Sequence, residues 1–166
     1  MIGKLRDFFG RAFGSSEEQA RSDAEVDARA LRLATATLLV QAMRADDCVM
    51  DIERLVVVRV LAEGYEMSIS ETTELVMLAE QQADQAISLH PLTKLLNEEL
   101  SAAQKTWILE LLWRVVYADG VKDAREEHLV RKIANLLRIS HTDFIETRRR
   151  VELARTGKTD VPPPTD

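Results

Sequence analysis

Apolar residues recur along most of the chain at steps of three and four, the spacing of helices that bury one face. The clearest example spans residues 22–44, where Leu31, Ala34, Leu38 and Ala42 follow this spacing without an intervening Pro or Gly. We therefore predict a long core-facing helix here.

The same reasoning predicts further helices over most of the remaining chain. Their expected ranges are 51–63, 70–86, a short helix from 90–91, 102–118, 124–137 and 142–154. Ser70 and Ser101 are the predicted N-caps of two of them, and Gly64 is the predicted end of another. The valine-rich run at 55–58 is read as helix because charged residues recur on one helical side. The sum is an all-α, compact bundle of about seven helices.

An internal repeat relates the two halves of the chain. A shift of 73 residues, without a gap, superposes the segment around Asp46 on the segment around Asp119. Identical residues in the two copies include Leu38 and Leu111, Leu39 and Leu112, Ala45 and Ala118, Glu53 and Glu126, and Val57 and Val130. We expect two pseudo-symmetric helix-loop-helix units, packed about a twofold axis with their paired leucines buried between them.

Each copy carries an aspartate after its first helix and a glutamate seven residues later: Asp46 with Glu53, and Asp119 with Glu126. Hydrophobic burial requires none of these acids. Carboxylate oxygens bind hard cations such as Ca²⁺ or Mg²⁺, and four from two loops would suffice for one site. The segment is too short and too poor in oxygens for an EF-hand.

Helix capping is the alternative explanation of the same acids. Asp123 stands three residues before Glu126, the spacing of a capping box with Asp in the Ser/Thr position. Asp51 and Glu53 likewise suit the N-terminal end of a helix. Spacing alone leaves both interpretations open.

The second copy, Ala118-Asp119-Gly120-Val121 followed by Glu126, resembles the TerB-like domain, and the first copy resembles it too. The resemblance covers about residues 30–153. TerB-like domains occur in tellurite-resistance proteins and, in related form, in membrane-anchored DnaJ-like co-chaperones. The resemblance implies about seven helices, two acidic loops brought together, and metal binding by Asp46, Glu53, Asp119 and Glu126. It also implies a stress-response role at the inner face of the membrane and no enzymatic reaction. The first loop departs from the pattern, with Asp47 where the second has Gly120.

Composition argues against several classes of function. The 166 residues suit one domain, and a formal charge of −6 argues against general nucleic-acid binding. One cysteine, Cys48, fits a reducing compartment, so a cytoplasmic protein is expected. The three histidines lie in separate segments, and no phosphate-binding or nucleophile motif is present, so we expect no enzyme. A hydrolase using the four carboxylates around a metal is the least favoured alternative.

The two ends differ from the domain predicted for residues 17–154. Residues 1–14 form an amphipathic segment, in which residues 1–13 carry apolar positions at helical spacing and interleaved basic residues. It either contacts the inner membrane surface or a protein partner, or packs on the domain. Residues 155–166, with three consecutive prolines, are predicted to be a disordered tail. The basic run at 148–150 either meets an anionic partner or forms a solvated face.

Overall fold

The structure, a computed structural model, describes residues 23–44, 51–85, 88–118 and 124–156. Within these ranges the chain forms seven α-helices and no strand, which confirms the all-α prediction. The helices are α1 (Asp23–Met43), α2 (Asp51–Tyr65), α3 (Ile69–Asp84), α4 (Leu89–Glu99), α5 (Ala102–Val116), α6 (Ala124–Leu136) and α7 (His141–Thr156). None of them is long and apolar enough to cross a membrane.

Serine side chains determine where two of the helices begin. Ser101 caps α5 as predicted, accepting a hydrogen bond from the backbone N–H of Gln104, whose side chain accepts from the Ser101 N–H in return. The prediction that Ser70 caps α3 is wrong. The N-cap of α3 is Ser68, which forms the same reciprocal pair with Glu71. Ser70 shares the residue type, but Ser68 has the acceptor residue three positions later that a capping box requires.

Helix α1 lies at the centre of the bundle and packs against α2, α3, α4, α5 and α6. Leu38 and Leu39 of α1, with Leu111 and Leu112 of α5, are at most 1% exposed, so the leucines matched by the repeat belong to the core. The two threonines buried in α1 do not leave unpaired hydroxyls, because each donates to the carbonyl four residues earlier.

Gly64 does not end α2 as predicted. The helix continues to Tyr65, and the residue with the left-handed backbone is Glu66, at φ 53°. Gly64 is needed for a different reason, since a Cβ built there would lie 2.8 Å from Cζ2 of Trp107. The glycine lets α2 approach α5, which sequence spacing cannot reveal.

The corner between α2 and α3 is a Schellman-type turn. Glu66 takes the left-handed conformation, and the N–H of Met67 donates to the carbonyl of Ala62 at 3.0 Å. Ser68 then caps the next helix. A glutamate therefore occupies the position that glycine usually takes.

The corner between α6 and α7 repeats this path 72 residues later. Arg138 has φ 57°, and the N–H of Ile139 donates to the carbonyl of Ala134 at 3.0 Å. The hydroxyl of Ser140 accepts from the N–H of Asp143 at 3.1 Å. Helix pairing is also alike in the halves, since α1 packs on α3 as α5 packs on α7. The pseudo-twofold axis itself stays a prediction.

Helix α7 continues to Thr156, two residues past its predicted end. The rest of the predicted tail, 157–166, and the amphipathic segment 1–14 lie outside the described residues.

Candidate functional site

The described part of the acidic site consists of one glutamate at the start of each of two helices. Glu126 is the third residue of α6 and is only 5% exposed. Glu53 is the third residue of α2 and is half-buried. Neither side chain is without an interaction partner. Asp46, Asp119 and Asp123 lie outside the described residues. The predicted capping box of Asp123 and Glu126 is therefore not tested.

Helix α2 contacts both helices that lead into the acidic loops, α1 and α5. Tyr65, at the end of α2, bonds Thr35, eight residues before the end of α1, at 3.0 Å, so α2 runs back along α1. Between Tyr65 and Glu63 on α2, the contact on α5 moves forward from Trp107 to Arg114. The start of α2 therefore lies towards the end of α1, and the end of α2 packs against the middle of α5.

The end of α5, next to the second acidic loop, is held by a partly buried polar network. Tyr117 follows the last residue of α5, and its hydroxyl donates to Oε1 of Glu152 at 2.5 Å. Arg148 donates from Nε to the Tyr117 oxygen at 3.0 Å and from a terminal nitrogen to Glu127 at 2.9 Å. Burial is the main cause that raises the pKa of Tyr117 to about 12, and the hydrogen bond to Glu152 is the second. The phenol is therefore neutral at physiological pH.

One ring of an aromatic cluster lies against the same arginine. Its guanidinium lies 5.5 Å from the ring centroid of Trp113, which is fully buried. The Trp113 ring stacks on Tyr117 at 5.7 Å and meets Phe144 at 5.3 Å with an interplanar angle of 60°. Arg148 thus fastens α7 to α5.

The basic run at 148–150 is consequently not a free patch for phosphate. Arg148 belongs to the network described above, and Arg150 pairs with Glu110 of α5. Arg149 is not without a partner either. The hypothesis of a solvated face is wrong for Arg148, because the side chain is only 23% exposed.

Ion pairs on the side of the first acidic loop link α1 and α2 to α3. Arg54 binds Glu80 through two hydrogen bonds of 2.6 and 3.0 Å, and Glu80 is 9% exposed. Arg44 binds Asp84 at 2.6 Å. Each loop is therefore flanked by helices whose ends are held together by an arginine and a carboxylate.

Sequence reasoning missed the arginines that build these contacts. Arg148 and Glu152 are four residues apart on one helix, a spacing that signals a possible pair. The pair of Arg54 and Glu80 joins residues 26 apart, and nothing in local spacing indicates it.

The chemistry available in the described residues is limited to carboxylates and arginines around the helix ends. No group of three or more His, Cys, Asp or Glu side chains suited to a metal occurs within the described ranges. The aspartates that would complete a ligand set with Glu53 and Glu126 are outside those ranges. A cation site in this region would therefore need Asp46 and Asp119 in addition to Glu53 and Glu126.

Comparison with known proteins gives one match. The family model described as tellurite resistance protein TerB matches residues 32–149, which is more than half of the chain. The matched region begins within α1 and ends within α7, so it includes both acidic loops and both corners. Neither the curated proteins nor the solved structures contain a significant match.

Proposed function

The chain belongs to the TerB family, and from that premise we propose that it is a non-enzymatic binding module whose acidic loops bind a divalent cation. The ligands would be Asp46, Glu53, Asp119 and Glu126, and the cation Ca²⁺, Mg²⁺ or a similar hard ion. We further propose a role in a stress response, which the family description of tellurite resistance supports, and a location in the cytoplasm or at the inner membrane surface.

The burial of Glu126 carries this proposal. Glu71 and Gln104 occupy the same third position in their helices, act in capping boxes, and are exposed to solvent. Glu126 is only 5% exposed, although a carboxylate is costly to bury unless charge or hydrogen bonds compensate. Glu126 already has an interaction partner, and a cation beside the helix start would add to the compensation.

Thermal unfolding with and without cations tests the site. A chelator-treated sample should gain stability from one or more of Ca²⁺, Mg²⁺, Mn²⁺ and Zn²⁺ at millimolar concentration. A ligand at 100 times its Kd adds about 2.7 kcal/mol, a shift in Tm of about 5–10 °C at this size. Asp119→Asn and Glu126→Gln should each reduce the shift.

The matched control is Glu71→Gln, which changes a glutamate at the same helix position outside the acidic loops. It should lower the baseline Tm slightly and leave the cation-dependent shift intact. A Tm that responds to no cation, or a shift that Asp119→Asn retains, would contradict the proposal.

The second candidate is an adaptor without metal, favoured by apolar side chains on the surface. Leu55, Ile69 and Met77 are more than half exposed, and apolar side chains of this kind serve docking where they form a contiguous patch. A protein partner or the inner membrane would then be engaged, with residues 1–13 contributing. Deletion of residues 1–14 should abolish co-sedimentation with anionic liposomes or with the partner, whereas retained binding would contradict this role for the segment.

A further inference from the structure

One helix face in the first half carries apolar side chains that the bundle does not use. Ile69, Thr73 and Met77 follow each other at four-residue steps along α3, and we call them the α3 outer stripe. Ile69 is 63% and Met77 54% exposed. The Thr73 hydroxyl donates to the carbonyl of Ile69 at 2.7 Å, so the stripe is apolar along its ~12 Å length.

Negative charge borders the α3 outer stripe. Glu66 and Glu74 are exposed, and neither has an ion-pair partner among the residues that the structure describes. Asp84, further along α3, differs because it is already paired with Arg44. An occupant of this stripe should therefore combine apolar side chains with positive charge.

We propose that residues 1–13 of the same chain dock on the α3 outer stripe. Their apolar residues at helical spacing are Ile2, Leu5, Phe9 and Phe13, and their interleaved cations are Lys4, Arg6 and Arg11. The predicted amphipathic helix would be ~20 Å long, enough to cover the stripe. Its cations would face the unpaired Glu66 and Glu74.

The length of the chain permits this contact. Tyr65, four residues before Ile69, bonds Thr35, and the Arg32 guanidinium lies 5.5 Å from its ring. The stripe therefore begins beside the 32–35 level of α1, ~14 Å from Asp23, where α1 begins. The connection formed by residues 14–22 reaches up to ~30 Å when extended. A tethered segment also binds at high effective concentration.

Charge favours this face over the corresponding region of the second half. The corresponding stripe on α7, 72 residues later, consists of His141, Ile145 and Arg149, and Arg138 stands at its corner where the first half has Glu66. Arg138 and Arg149 would repel a basic segment, although Glu146 matches Glu74. Glu66 and Glu74 beside the α3 outer stripe would attract it. Docking would hold residues 1–13 on the domain until a membrane surface or a partner competes for them. It would thereby regulate the membrane or partner contact that the adaptor hypothesis assigns to these residues.

Disulfide trapping in the full chain tests the contact. In a Cys48→Ser background, Gly10→Cys and Thr73→Cys introduce one thiol in the segment and one in the stripe. Mild oxidation should give a disulfide within one chain, detected by mass spectrometry. Ile69→Asp should slow its formation at least tenfold without changing the reach of the tether. The acid suits the first turn of α3, so folding is retained.

A second variant tests the charge argument independently. Glu66→Lys combined with Glu74→Lys should slow cross-linking several-fold, and raising the salt concentration should slow it in the parent protein. Circular dichroism confirms that each variant folds. The cation-dependent shift in Tm should be unchanged in Ile69→Asp, so failure here is distinguishable from failure of the cation site.

Three results would overturn the inference. Cross-linking that is absent, or as fast with Ile69→Asp, would mean that the stripe does not bind the segment. Disulfides formed only between two chains would assign the stripe to a second copy. Co-sedimentation of the parent protein with phosphatidylglycerol vesicles, at a level that Ile69→Asp does not raise, would mean that docking does not compete with the membrane.

Discussion

The two interhelical corners of this protein follow the same backbone path with opposite charges. Glu66 and Arg138 both take the left-handed conformation, and each is followed by an apolar residue and a serine that binds the next helix start. The carbonyl acceptor lies five residues before the donor in both. Backbone hydrogen bonds and the cap therefore define the turn, and the charge of the left-handed residue is free to vary.

The contacts that hold the following helix differ between the halves. In the first, α3 is attached to α2 by the ion pair of Arg54 and Glu80. In the second, Arg148 of α7 also pairs with a carboxylate, Glu127 of α6, but in addition it lies against the ring of Trp113 in α5 and is bonded to Tyr117. The same helix arrangement is thus stabilised by different side chains, and the aromatic half should be the more sensitive to truncation.

The largest expected effect is that of Trp113→Ala. Trp113 is fully buried, and replacing it should lower the free energy of unfolding by about 3–5 kcal/mol. Val40, 73 residues earlier and equally buried, should lose only about 2 kcal/mol on change to Ala. Urea denaturation of both variants makes the comparison.

Trp113→Phe is the control for that comparison. The Nε1 of Trp113 has no acceptor among the described residues, so the ring change removes no hydrogen bond to them. Phe should recover more than half of the loss. Equal losses in Trp113→Ala and Val40→Ala would show that the aromatic cluster adds nothing.

Gly64→Ala should have the next largest effect. Alanine normally stabilises a helix relative to glycine, but here its Cβ would lie 2.8 Å from the Trp107 ring. We expect a net destabilisation of about 1–3 kcal/mol from overpacking, measured as a lower urea midpoint. In a Trp107→Leu background the same change should be neutral or stabilising. Destabilisation that persists there would assign the effect to another contact.

The two tyrosines of the chain lie one in each half and should respond differently to loss of the hydroxyl. Tyr117→Phe removes a bond to Glu152 and leaves Arg148 with one acceptor fewer, so a loss of about 1–2 kcal/mol is expected. Tyr65→Phe removes one bond to Thr35, whose hydroxyl also donates elsewhere, and should cost less than Tyr117→Phe.

Stability at alkaline pH tests the Tyr117 hydroxyl in a second way. The pKa of Tyr117 is about 12 in the folded protein and near 10 when unfolded, so only the unfolded chain releases this proton between those values. Stability should therefore fall as pH rises from 10 to 12. Tyr117→Phe should make the fall in Tm shallower over this range, and an unchanged slope would contradict the assignment.

The smallest effects are expected at the corners, and they are stabilising. Glu66→Gly and Arg138→Gly each relieve a left-handed backbone that costs a non-glycine residue about 1 kcal/mol. Thermal unfolding should show a Tm a few degrees higher for each, with similar increments in the two halves. An increment at only one corner would mean that the matched backbones are not energetically equivalent.

Periodicity and capping predicted the fold because both are local. Leu38 and Leu111 were assigned to the core from spacing and the repeat, and Ser101 was identified as a cap because a serine immediately precedes the apolar helical stretch. The short motif around Asp119 also identified the family that the family model confirms. In the candidate site the same motif named Glu53 and Glu126, whereas their ligand role stays a prediction.

What the sequence by itself determined is the set of helices, their approximate bounds and the family, because each depends on residues within one or two helical turns. Only the tertiary structure decided that Gly64 admits Trp107, that Arg148 lies inside the α5–α7 contact, and that Glu126 is buried while Glu71 is not. These features depend on which helices pack together. A side chain's partner or burial across such a contact is set by residues tens of positions away, and no local pattern encodes them.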